Sequence, residues 1–114
     1  MSKAFWNKEY ASSRHLTLST EPAEDLTTFA RWVERNSEWY PFPKGGMVVD
    51  LGCGNGRNII WLCKNAEMKG LGIDNSSIAI EQAAKAGKGL PIEFVSRSIA
   101  DKIPLEKESV DVVM

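Results

Sequence analysis

Hydrophobic positions along this chain alternate between helical spacing and short unbroken runs. Phe5, Trp6 and Tyr10 make residues 3–14 (KAFWNKEYASSR) a short amphipathic piece. Across residues 20–36, Leu26, Phe29, Ala30 and Val33 recur at i, i+3, i+4 and i+7, which predicts a helix with one face on a sheet. Thr20 or Glu21 can cap it, Pro22 suits its first turn, and Glu24 suits the positive end of its dipole. The prolines and glycines of SEWYPFPKGG (residues 37–46) exclude regular structure and predict a connector. Its Trp39, Tyr40 and Phe42 are either core cover or the wall of a substrate pocket.

The pattern then changes. In MVVDLGCGNGRNIIWL (residues 47–62), Met47, Val48 and Val49 read as a strand covered on both faces. A glycine turn follows, and from Arg57 onward Ile59, Ile60, Leu62 and Cys63 form a helical apolar face. Residues 69–74 (KGLGID) predict a second strand. Asn75, Ser76 and Ser77 offer caps to a helix that carries Ile78, Ala79, Gln82, Ala83 and Ala86 and stops at Gly87 and Gly89. Residues 91–96 (PIEFVS) predict a third strand, 97–108 a polar loop, and 110–114 (VDVVM) a fourth strand.

Strands and helices in alternation imply an α/β fold, a Rossmann-like parallel sheet with flanking helices. Such sheets usually continue beyond a fourth strand. The apolar VDVVM run therefore predicts either a fold truncated after its fourth strand, part of a longer protein, or self-association of half-sheets along that edge. The chain divides into an N-terminal lid and connector, residues 1–46, and a ligand-binding half-domain, residues 47–114.

Composition narrows the functional classes. Lys and Arg total 14 against 15 Asp and Glu, a net charge of −1 with no basic stripe for nucleic acid and no polybasic membrane anchor. No apolar run approaches the roughly 20 residues of a spanning helix, and no signal-peptide core is visible, so a cytoplasmic location is expected. Cys53 and Cys63 form no CxxC pair and have no histidine at metal-ligand spacing, so no metal site is expected. Both read as reduced thiols. His15, the one histidine, lies in a polar stretch that suits a solvated side chain better than a catalytic one.

The chemistry concentrates at the glycine turn. Gly52, Gly54 and Gly56 remove side chains where the backbone must turn sharply and come close to a ligand. A strand, a glycine turn and a helix in succession are expected to leave free backbone N–H groups at the strand's carboxyl end. Asp50, at the end of a buried strand, is costly unless paired, so it suits a cationic or hydrogen-bond-donating ligand; a cap or an ion pair with Arg57 is the alternative. Asp74 offers two acceptors to a vicinal diol, as in ribose recognition, or is only a turn residue before a capped helix.

Asp50-Leu51-Gly52-Cys53-Gly54-Asn55-Gly56 resembles the first signature of class I S-adenosylmethionine-dependent methyltransferases. Later features match the same pattern in order: Asp74 closing the second strand, Ser98-Ile99 after the third, and the stretch from Pro104-Leu105 to Ser109-Val110-Asp111-Val112-Val113 leading into the fourth. The resemblance implies S-adenosyl-L-methionine as cofactor, with its methionine portion at Asp50, Gly52, Cys53, Gly54, Asn55 and Gly56, its ribose at Asp74 and Asn75, and its adenine at Ser98 and Ile99. Family members commonly carry an Asp at the adenine edge. Here Ser98 stands in that place, with Asp101 as a competitor. The wording GCGNGRN is similar to the small-molecule and tellurite-resistance-type branch. A dinucleotide fingerprint would need glycine where Arg57 stands, which counts against NAD.

Methyl transfer from a sulfonium needs alignment and exclusion of water, and a general base only for a protonated acceptor. The catalytic residues and the acceptor, small molecule or protein side chain, are thus left open. Trp6, Tyr10, Arg14 and His15 are candidates to face the acceptor if residues 3–14 fold over the ligand as a lid. The alternative to an enzyme is a non-catalytic module that keeps the cofactor motif.

Overall fold

The chain is described by a computed structural model over residues 3–12, 19–36, 42–103 and 105–114. Two helices come first: α1 (Lys3–Ser12) and α2 (Glu24–Arg35). The central unit follows as β1 (Met47–Leu51), α3 (Arg57–Ala66), β2 (Lys69–Asp74), α4 (Ser77–Ala86), β3 (Ile92–Ser96) and β4 (Val112–Val113). All strands pair in parallel in the order β3-β2-β1-β4. The order reverses at β1, so β1 and β4 diverge from a switch point, and ligands of open α/β sheets sit at the carboxyl ends of the strands there.

The strand period explains why Met47–Val49 is an unbroken apolar run. Adjacent residues of a strand face opposite sides. Val48 packs with Ile59, Leu62 and Cys63 of α3 and with Met68, whereas Val49 packs with Leu71 and Ile73 on the other face. The glycines of KGLGID make room for these layers. A Cβ on Gly70 would meet Ile59 at 2.8 Å, and one on Gly72 would meet Phe94 at 2.7 Å. The second face is covered by Ile103, Leu105 and Val110. The segment expected to be a polar loop thus supplies core residues, which no periodic pattern announced.

Several boundaries differ from expectation. The N-cap of α2 is Ala23, with no side-chain cap, so neither Thr20 nor Glu21 caps it and Pro22 precedes the helix. The Ala23 N–H finds its acceptor far away, at Asn58 Oδ1 (2.7 Å). Of the stripe on α2, Val33 is buried and Phe29 exposed, and Ala30 packs against the cluster that joins Phe42, Val48 of β1 and Ile59, Leu62 and Cys63 of α3. Phe42 is core cover, 5% exposed; Trp39 and Tyr40 lie outside the described residues. β4 is shorter than expected, yet Met114 continues its ladder, exchanging backbone bonds with Val49 and Leu51. Asp111 pins its start by accepting the Met47 N–H at 2.9 Å.

Ser76 is the cap the sequence offered to α4: its hydroxyl accepts the Ala79 N–H at 3.1 Å. The same buried hydroxyl donates to Asn7 Oδ1 at 2.6 Å, which docks α1 on α4 together with a bond from Gln82 Nε2 to the Tyr10 carbonyl (3.0 Å).

Candidate ligand site at the glycine turn

The turn between β1 and α3 was expected to present free N–H groups. Instead those of Gly52, Cys53, Gly54, Gly56 and Arg57 are paired within the protein. Gly52 and Cys53 both donate to the Ile73 carbonyl (2.7 and 2.9 Å), which staples the turn to β2. Gly54 donates to Asp74 Oδ2 at 2.9 Å, Gly56 to the Cys53 carbonyl at 3.0 Å, and Arg57 to Asn55 Oδ1 at 3.3 Å. The Tyr10 hydroxyl lies against this turn at Gly54. The physical reason is general: backbone donors withdrawn from water must find acceptors. A ligand here is met by backbone shape and by side chains, or it displaces one of these acceptors.

Gly52 shows where such a ligand can approach. It is exposed, its φ of +81° is left-handed, and a Cβ built on it would meet nothing within 4 Å. Gly54 is the opposite case. It is buried at φ +58°, and a Cβ there would collide with the Tyr10 hydroxyl. Gly56 is closed by packing against Ile60, Ala83 and Phe94, so it brings α3 onto α4 and β3.

Two carboxylates face this turn in different states of satisfaction. Asp74 is fully employed: Oδ2 accepts Gly54, and Oδ1 accepts the Ser76 N–H at 2.8 Å. Each oxygen keeps a lone pair for a further donor. Asp50 is 7% exposed and has no donor or cation among the described residues. Burial, and then the Asp74 charge, push its carboxyl up to about 6. The alternative reading of Asp50 as a partner of Arg57 fails, because the Arg57 guanidinium donates to the Glu21 carbonyl (3.3 Å).

The remaining candidates fall in two groups. Cys53 is buried against Gly72, and burial followed by the charges of Asp50 and Asp74 pushes its thiol far up, so it is a neutral packing group. Asn75 is half-buried between Asp74 and the Ser76 cap. Ser98 is brought next to Asp74 because the Arg97 N–H donates to the Asp74 carbonyl at 3.0 Å. The Ser98 hydroxyl accepts the Ala100 N–H (3.1 Å), the Ile99 side chain is 59% exposed, and Asp101 is exposed. Among the described residues no group of His, Cys, Asp and Glu could hold a metal ion.

Sequence reasoning missed one set of residues here. The side chains of Asn55, Arg57 and Asn58 grip residues 19–23 through the Ser19 carbonyl (3.0 Å), the Glu21 carbonyl and the Ala23 N–H. The only signal was the density of long-range polar groups in NGRN. Arg14 and His15 lie outside the described residues.

Residues 48–114 match the family described as methyltransferase domain. The chain belongs to that family. Its structure is similar to that of an S-adenosylmethionine-dependent methyltransferase from Thiobacillus denitrificans solved with S-adenosylhomocysteine, at a TM-score of 0.65 and 24% identity, covering 93% of this chain and 41% of that one. A Geobacter sulfurreducens methyltransferase, also solved with S-adenosylhomocysteine, gives a TM-score of 0.59 at 24% identity over 85% of this chain and 36% of that one. An uncharacterized 37.1 kDa protein of a Streptomyces fradiae transposon is 36% identical over 69 residues, 59% of this chain and 20% of that protein. The chain thus spans less than half the length of these methyltransferase relatives.

Proposed function

We propose that this chain is the S-adenosyl-L-methionine-binding portion of a methyltransferase. The observation that carries the reading is Asp50, a buried carboxylate without a partner among the described residues, at the carboxyl end of β1 beside the open approach over Gly52. A buried carboxylate in that state is matched by an ammonium, which the methionine portion of the cofactor carries. When bound, the cofactor supplies an activated methyl on a sulfonium.

The protein's part is binding, orientation and exclusion of water. Asp50 holds the ammonium. Gly52 lets the ligand come against the backbone, with Cys53, Gly54, Asn55 and Gly56 shaping the turn. Asp74, held by its bonds to Gly54 and Ser76, offers its remaining lone pairs to the ribose hydroxyls, and Asn75 flanks it. Ser98 or Asp101, with the backbone of Ile99, borders the adenine. Residues 1–46 serve as lid and connector; from that side the Tyr10 hydroxyl of α1 lies against Gly54 of the turn, and the Trp6 ring lies 6.3 Å from the Tyr10 ring between centres. No helix among the described residues is long and apolar enough to cross a membrane; a cytoplasmic location is proposed from the composition.

Titration calorimetry with S-adenosylhomocysteine tests the reading. Stoichiometric binding that Asp50→Ala abolishes is the expected result. An intact, folded protein that shows no binding overturns it.

A further inference from the structure

We infer that Arg57 and Asn58, with Asn55, are positioning residues that retain the ligand without touching it, by tying the N-terminal segment to the glycine turn. The inference rests on the ligand reading above for what is retained, but the tie itself is visible in the geometry. The contacts fall on alternate residues of one segment. Asn55 Nδ2 donates to the Ser19 carbonyl (3.0 Å), Arg57 Nη1 to the Glu21 carbonyl (3.3 Å), and Asn58 Oδ1 accepts the Ala23 N–H (2.7 Å). Ala23 is the N-cap of α2, so the last bond also fixes where α2 begins.

A second anchor lies on the other side of the turn. Asn7 accepts from the Ser76 hydroxyl, and Gln82 holds the Tyr10 carbonyl, so α1 is seated on α4 with the Tyr10 hydroxyl on the Gly54-Asn55 backbone. Only residues 13–18 separate α1 from Ser19. Fixing Ser19 therefore keeps α1 at high local concentration over its dock, as any short tether does. This gives the Arg and Asn of GNGRN a role that ligand contact does not explain. The backbone groups they hold belong to the lid, and the turn they stand on belongs to the ligand.

The test compares Asn58→Leu, which removes the acceptor, with Asn58→Asp, which keeps an acceptor oxygen at the same reach. Amide hydrogen exchange in the ligand-free protein reads the tie directly, and S-adenosylhomocysteine titration reads retention. Asn58→Leu is expected to speed exchange at residues 3–12 and 23–27 with β1 and β2 unchanged, and to weaken binding roughly three- to tenfold, the range of one lost hydrogen bond. Asn58→Asp is expected to restore both. If Asn58→Leu does not fold, Arg57→Ala, which removes an exposed side chain, is expected to shift the same amides. Unchanged exchange in residues 23–27 overturns the tie. Faster exchange with unaltered affinity overturns its link to retention. Absence of binding by the unmodified protein would instead refute the ligand reading, and the exchange data would still decide the tie.

Discussion

The Asp74 carboxylate accepts the Gly54 N–H at 2.9 Å with one oxygen and the Ser76 N–H at 2.8 Å with the other. One side chain at the end of β2 thereby fixes both the glycine turn and the start of α4. The ribose contact proposed for it would use the same two oxygens that hold the fold, and Asp74→Ala should show both losses. The expected loss is about 1–3 kcal/mol in S-adenosylhomocysteine affinity, from hydrogen bonds to a charged group, with a lower melting temperature of the free protein. Calorimetry and thermal unfolding on the same samples check it. A folded variant with full affinity removes Asp74 from the ligand site.

Asp50 predicts a pH dependence of opposite sign for the free and the ligand-bound protein. Its folded carboxyl is raised to about 6 from an ordinary 3.8. A raised pKa means that its contribution to stability is greatest at low pH and is lost as pH rises through about 6. Asp50→Asn should therefore stabilise the free protein at pH 7, by up to about 3 kcal/mol, since each tenfold change in proton affinity is worth roughly 1.4 kcal/mol. The gain should vanish near pH 4. Binding of an ammonium needs the charged form, so affinity for S-adenosylhomocysteine should fall as pH drops below about 6. Melting curves and titrations from pH 4 to 8 read both limbs, and an affinity flat across that range removes Asp50 as the ammonium's partner.

Gly54 and Tyr10 should be coupled in a double-mutant cycle. Gly54→Ala places a methyl on the Tyr10 hydroxyl at a backbone angle of +58°. The strain alone costs about 1–2 kcal/mol, and the collision adds to it. Tyr10→Phe removes the colliding oxygen, so the pair of changes should cost less than the sum of the singles in chemical denaturation. Strict additivity would mean that α1 does not sit over the turn in solution.

Ser76→Ala should be more harmful than an ordinary cap deletion. The hydroxyl is fully buried, caps α4 through Ala79 and donates to Asn7. Loss of the cap costs about 1 kcal/mol, and loss of the bond to Asn7 Oδ1, which keeps only the longer bond from the Ile78 N–H at 3.4 Å, adds to that. Faster amide exchange in α1 as well as in the first turn of α4 is the expected signature.

Both thiols should resist alkylation at neutral pH until the protein unfolds. Cys53 and Cys63 are free and buried, and burial raises Cys63 to about 11 and Cys53 further. Since the thiolate is the nucleophile, rapid labelling of either in the native protein by iodoacetamide would contradict this packing.

The alternation of periods was enough to specify the sheet. The apolar run at 47–49 and the glycine-spaced Leu71 and Ile73 of 69–74, with helical spacing between them, mark strands covered on both faces, because a parallel strand is flanked by helices or loops on each side. The Ser76 cap was equally visible, since a hydroxyl before an apolar helical stripe has a local geometric meaning. The family resemblance over residues 47–114 was legible for the same reason. A glycine turn and two carboxylates at fixed strand ends are local features, and spacing along the chain preserves them.

What tertiary structure decided were partnerships across long sequence separations. Ala23 as the cap of α2 depends on Asn58, which lies 35 residues away, so no local rule could prefer it to Thr20. The apolar side chains of Ile103, Leu105 and Val110 carry no period because loop residues reach a core by fit and not by repeat. The glycine turn itself was the clearest case. Sequence determined that it would be tight. Only the folded chain determined that the N–H groups of Gly52, Cys53 and Gly54 already have acceptors in Ile73 and Asp74, because donors withdrawn from water recruit whichever acceptors the packing of other elements brings within reach.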